Sequence, residues 1–330
     1  MIQWRRKVLR LLSADCLRIR RYWLTWTLLV VLILILSLQI NSKLSQLEDL
    51  KNQIQYAIDH PNSEELGSIP LEANQFMFDH LQQDLIYPTF IGTVARTSTE
   101  AGWFLIILFT AVMGGEDFSR RTLSNILSRG IGRAQYLFGR CLSLWLVAGV
   151  SVLSLVVIAS AVGPFIHRHV TSDPISLRGF GDTLMMIFRT WVTYLPFIIA
   201  TLFWAVLARN PGPAMGVGIG LHTFELLNGF VIPFVAVIFG NISGSEVPWF
   251  YKVQIRLFSF TLGYNADVFL NWGAPFSRDP LFVAKTLGLS DTSLLPSTPL
   301  RSGIMFLVYA VIFLGWMMWI LHRRDVSYGS

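Results

Sequence analysis

Residues 116–140 read EDFSRRTLSNILSRGIGRAQYLFGR and lie between two stretches too apolar to be anything but membrane-buried. An acidic pair, Glu116 and Asp117, opens the segment, and Arg120, Arg121, Arg129, Arg133 and Arg140 are spread along it. A chain that only turned around at a membrane surface would need a few residues here. This one has room for a whole helix, which suggests a docking surface for a soluble partner. The fold class that follows is an all-α polytopic membrane protein.

Working outward, the composition agrees. The 330 residues are 53% hydrophobic and only 14% charged, with a mean hydropathy of +0.53. A soluble domain of this length carries about 25% charged residues. A bilayer span needs about 20 mostly apolar residues. Six transmembrane helices are expected, over residues 22–40, 101–115, 141–166, 183–207, 214–239 and 303–321. The second is short and can borrow its outer half from residues 90–100. The fourth and fifth form a hairpin around a turn at Arg209, Asn210, Pro211, Gly212 and Pro213. Residues 1–330 read as a single transmembrane domain, with outer segments at 41–100 and 240–302.

Lys and Arg near span ends are retained in the cytoplasm, so their placement sets the orientation. Arg5, Arg6, Lys7, Arg10, Arg18, Arg20 and Arg21 precede the first span; Arg323 and Arg324 follow the last. With the arginines of 116–140 and Arg209, they share one side if both termini are cytoplasmic. The segment 41–100 is acid-rich and falls outside, although Arg168, Arg178 and Arg301 fall outside too. The expectation is a multi-pass protein of the plasma membrane. The net charge of +6 then reflects topology and contact with anionic membrane lipid rather than nucleic acid. The basic start followed by an apolar run is too long for a cleaved secretory signal and reads as a retained first span. Cys16 and Cys141 map to the cytoplasmic side and have no metal-site spacing.

Residues 1–21 fit an amphipathic interfacial helix, with Trp4, Val8, Leu11, Leu12 and Ile19 able to share a face. Leu47, Leu50, Ile54 and Ile58 continue helical spacing beyond the first span. The segment 240–302 is dense in aromatic residues, which suggests outer re-entrant or interfacial helices before the last span. Its end, from Ser290 to Ser302, reads as a loop.

Within the opening segment Asp117 is placed to cap a helix N-terminus, with Glu116 adding charge at the positive end of the dipole. Leu123, Ile126 and Leu127 form an apolar stripe between Phe118 and Ile131, and Gly130 is placed to end the helix. The chain here resembles the permease subunits of the ABC-2 family of ABC transporters. The resemblance is carried by Glu116, Thr122, Leu123, Ile126, Leu127, Arg133, Tyr136, Leu137, Gly139 and Arg140. Three positions depart from the family pattern: Arg121 stands for the usual Gly, Gly130 for Pro or Ser, and Arg140 for Lys.

That resemblance implies a cytoplasmic coupling helix over residues 116–133, docking into a separate ABC ATP-binding subunit. Glu116, Asp117, Arg120, Arg121, Thr122, Leu123, Ile126, Leu127 and Arg133 would carry the coupling. It also implies a second permease chain, identical or related, and export as the direction. ATP and Mg would be bound by the partner, leaving this chain without cofactor, metal or enzymatic activity. The sequence agrees on one point: a phosphate-cradling loop needs Lys after Gly, and Lys7, Lys43, Lys51, Lys252 and Lys285 never follow one.

Arg189, His222 and Glu225 are the charged or ionisable groups deepest in the expected spans. Such residues face a cavity or a partner, so they are candidates for the translocation path or the permease–permease seam. Against this, Arg189 can snorkel outward and Glu225 can be satisfied by neighbouring helices. A Glu225–His222 pair would alternatively suggest an ion-coupled carrier, and a non-transporting assembly subunit is a further reading. His167 and His169, with His80, form an H-x-H pattern that lacks a carboxylate or Cys at fixed spacing. No H-E-x-x-H or G-x-S-x-G is present.

Overall fold

A computed structural model describes residues 12–15, 17–18, 21, 23–59, 71–119, 122–243, 249–270 and 298–323. Among the described residues the chain is α-helical without strands, an all-α polytopic membrane protein. Helix α1 spans Trp23–Asp59, α2 Leu71–Leu85, α3 Thr89–Ser119, α4 Thr122–Ser128 and α5 Arg133–Val170. Helix α6 follows at Phe180–Ala208, α7 at Pro211–Ser243, α8 at Trp249–Phe258, α9 at Leu262–Leu270 and α10 at Pro299–Arg323.

Residues 23–40, 101–115, 141–166, 183–207, 214–239 and 303–321 are all helical. Within α1, α3, α5, α6 and α10, five segments are long and apolar enough to cross a bilayer among the described residues. The remaining expected span lies in α7, whose side chains are described only as far as Leu227. Helix α3 begins at Thr89, so residues 90–100 continue the helix of the short second span, whose apolar stretch is Ala101–Ser119. Helix α1 runs on to Asp59, as the spacing of Leu47, Leu50, Ile54 and Ile58 requires. The first eleven residues of the expected interfacial helix, and residues 271–297 of the outer segment, lie outside the described residues; residues 12–15 and 17–18 are helical. The hairpin turn between α6 and α7 has Arg209 in the left-handed region, at φ 54°. Asn210 caps α7 by accepting the Gly212 N–H at 2.9 Å, and Pro211 supplies the first helical position, where a missing N–H costs nothing.

The chain divides into two compact units, one made of Met1–Tyr22, Trp103–Ala148 and Trp191–Ser330, the other of Trp23–Gly102 and Gly149–Thr190. The first packs through small residues and aromatic rings. Ala111, Ala205 and Ala214 form a buried cluster. Close by, a Cβ on Gly115 would meet the Pro211 backbone nitrogen at 2.4 Å, so only glycine lets the end of α3 approach the start of α7 this closely. Small residues let apolar helices associate by backbone contact where lipid removes any hydrophobic drive. Trp145 on α5 and Trp191 on α6 stack with ring centroids 4.2 Å apart and planes 9° apart. Each indole N–H donates to the other residue's carbonyl, at 3.1 and 2.9 Å.

The second unit gathers α1, α2, the beginning of α3, the end of α5 and the beginning of α6. Its polar centre is Asp84 on α2. The carboxylate accepts from the Lys43 ammonium at 2.7 Å, from Arg96 at 3.4 Å and from the Thr93 hydroxyl at 3.3 Å. Burial alone would raise the pKa of Asp84, yet the charge and hydrogen bond of Lys43, with Arg96 behind it, hold it below the usual value.

Candidate functional site

Helix α4 is shorter than the sequence implies. The expected helix over residues 116–133 resolves into the end of α3, the seven residues of α4 and the start of α5 at Arg133. Gly130 does end it: at φ 76° it adopts the left-handed conformation of a helix stop, and its N–H reaches the Leu127 carbonyl at 3.0 Å. The Gln135 side chain then accepts the Gly132 N–H at 2.8 Å and caps the start of α5.

The apolar stripe of α4 faces inward. Leu123 is buried in a core cluster with Tyr136, Leu137, Ile199, Leu202, Phe203 and Ile320, and Ile126 and Leu127 pack against the same cluster. Asn125, Ser128 and Arg129 are exposed instead, and Thr122 and Arg133 are half-buried. The apolar residues therefore fasten α4 to the membrane unit, and its polar face is the surface on offer. Arg120 and Arg121 lie outside the described residues.

The acidic pair does not cap α4. Glu116 and Asp117 belong to α3, near its C-terminal end, where the helix dipole disfavours negative charge. Two arginines compensate. Asp117 is 1% exposed; its carboxylate accepts from Arg18 at 2.6 Å and from the Tyr136 hydroxyl at 2.8 Å, and forms an ion pair with Arg140 at 2.8 Å. Committed to these partners, it is unavailable to the N–H groups of α4. Arg18 also pairs with Glu116 at 2.9 Å. Arg140, 1% exposed, reaches further, donating to Asp15 at 2.7 Å and to the Met113 carbonyl at 2.6 Å. Ser143 donates to the other oxygen of Asp15 at 2.9 Å. Burial works against the Arg18 charge. The hydrogen bond and charge of Asp117, together with Glu116, outweigh that burial and the repulsion of Arg140, so its pKa rises above the ordinary value.

The network ties three sequence-distant pieces into one: the N-terminal segment, the end of α3 and the start of α5. These flank α4 on both sides along the chain. Sequence reasoning missed Asp15, Arg18, Tyr136 and Ser143 as members. Arg140 carried a signal, since an arginine opening an apolar span must find a carboxylate or pay for its burial.

The intramembrane candidates separate. Glu225 accepts the Gly263 N–H at 3.0 Å, near the N-terminus of α9. His222 is 4% exposed and stands edge-on to the rings of Trp103 and Phe197, both at 6.0 Å. Its Nδ1 has no hydrogen-bond partner among the described residues. Glu225 and His222 are thus served by different neighbours, and Arg189 is a half-buried residue of the other unit. His167 is structural in its contacts: Nδ1 accepts from the Tyr87 N–H at 3.4 Å and Nε2 meets the Asp173 carbonyl at 2.9 Å. Among the described residues no cluster of His, Cys, Asp and Glu has a metal-binding arrangement.

Comparison with known proteins gives one match that covers nearly the whole chain. The model of the ABC-2 family transporter proteins matches residues 11–326. No curated protein and no solved structure matches. The matched range runs from the N-terminal segment that holds Asp15 and Arg18 through α4 to the end of α10, so it takes in the whole buried network. This multi-pass chain belongs to the ABC-2 family of transporter proteins and is a permease of that type.

Proposed function

We propose that this permease couples ATP hydrolysis by a separate ABC ATP-binding subunit to the export of a substrate across the plasma membrane. A second permease chain completes the pathway. Both termini and α4 face the cytoplasm, and ATP and Mg are held by the partner. The observation that carries the reading is the mounting of α4. Its apolar face is locked into the core with Leu123 buried, while Asn125, Ser128 and Arg129 point away. A helix so fixed can pass a push to α3 and α5 rather than absorb it.

Purification of the chain with its native neighbours tests this. An ATP-binding protein is expected to accompany it, with ATP hydrolysis that responds to substrate. Arg129→Glu should abolish that response while the chain still inserts and folds. Recovery without any nucleotide-hydrolysing protein, or an unaltered response in Arg129→Glu, overturns the proposal.

A further inference from the structure

The two arginines of the buried network are not equivalent. Arg140 has a side chain 1% exposed and is shared between Asp15 and Asp117. Removing it takes the cation from Asp15, which keeps the Ser143 hydroxyl, and one of two cations from Asp117. Arg18 keeps 26% of its side chain exposed. If it leaves, Asp117 retains Arg140 and the Tyr136 hydroxyl, and Asp15 still fastens the segment through Arg140 and Ser143. Arg18 is therefore the contact that can break without leaving Asp117 unpaired.

The surroundings supply a competitor. Arg5, Arg6, Lys7, Arg10, Arg20 and Arg21 share the first 21 residues with Arg18, against Asp15 as the only acid. Arg21 is exposed, and Leu17 presents 60% of its surface. A basic segment directly before a membrane span, with an apolar side chain bared, sits where lipid headgroups are concentrated. A guanidinium binds phosphate with the same planar fork that it offers to carboxylates.

We propose that Arg18 is an exchangeable clamp on the Glu116–Asp117 pair, drawn away by the phosphates of anionic lipid at the membrane surface. The N-terminal segment remains pinned by Asp15 while Arg18 swings. Membrane charge thus sets whether Arg18 covers the acidic pair beside α4.

The test uses the full chain in nanodiscs of phosphatidylcholine, alone or mixed with phosphatidylglycerol. Carbodiimide-driven amidation of Glu116 is read by mass spectrometry. Labelling is expected to rise several-fold with phosphatidylglycerol and to fall back in high salt. Arg18→Gln sets the ceiling: it labels fast in both lipids, with no dependence on lipid charge. Equal labelling of the unmodified chain in the two lipids overturns the proposal. So does a lipid dependence that persists in Arg18→Gln, because the clamp is then not what responds. The readout needs no ATP-binding subunit, so its failure is distinct from failure of the coupling reading.

Discussion

Asp117 in the first unit and Asp84 in the second are both buried carboxylates, and the two units solve the same problem differently. Asp117 and Arg140 have side chains 2% and 1% exposed, with Asp15 closing the other side of the guanidinium. Asp84 is 12% exposed, and its partners Lys43 and Arg96 keep 22% and 17% of their side chains exposed. Water can take over for Lys43 or Arg96 if the pair breaks. It has no such access to Arg140. One helix, α3, contributes to both centres, with Thr93 and Arg96 near its start and Glu116 and Asp117 near its end. The lesson is that a charge near a span end can serve as a tether or as a keystone, and hydration of its partners decides which.

The sharpest way to break the comparison is Arg140→Met. It leaves Asp15 and Asp117 buried without their shared cation and should cost about 3–5 kcal/mol. Thermal unfolding in detergent should show a large loss of folded chain. Adding Asp117→Asn and Asp15→Asn to the same chain should recover part of it.

Asp84→Asn should cost less, about 1–3 kcal/mol, because both cations can rehydrate. Its pH dependence sharpens the contrast. The folded carboxyl lies below its ordinary 3.8, so the unfolded chain takes up a proton first. The stabilisation is complete above that value and disappears as pH falls through the folded pKa. The gap in melting temperature between wild type and Asp84→Asn should be constant from neutral pH down to mildly acidic conditions and close below 3.8.

Tyr136→Phe removes a single hydrogen bond to Asp117 and should cost about 0.5–1.5 kcal/mol in the same melting assay. Arg18→Gln should have the smallest effect, about 0–1 kcal/mol, as expected for a partly exposed ion pair. A loss as large as that of Arg140→Met would erase the distinction between the two arginines.

Much of this architecture could be read from local pattern. Apolar runs located the spans because lipid imposes a length and a composition on each. The stripe of Leu123, Ile126 and Leu127 announced a helix, and Gly130 announced its end. The sense of the stripe was less evident. The same spacing serves a face that docks on a partner and a face that docks on its own core, and only the packed cluster separates the two. The acidic pair was misplaced for a related reason: Asp117 before Thr122 has the local form of a helix cap. Its actual partners are 99, 23 and 19 positions away in Arg18, Arg140 and Tyr136. Local periodicity carries no record of pairings at such separations. Nor does the i, i+3 spacing of His222 and Glu225 reveal that aromatic rings flank one while a helix start meets the other.

The crossed bonds between Trp145 and Trp191 constrain how the permease can move. A slide of α5 along α6 by one residue, about 1.5 Å, would stretch both indole N–H bonds together and drag two flat rings across each other. A rocking of the same helices about that point would leave both bonds intact. The double tryptophan works as a pivot, so these two helices should change their mutual angle while keeping their axial alignment.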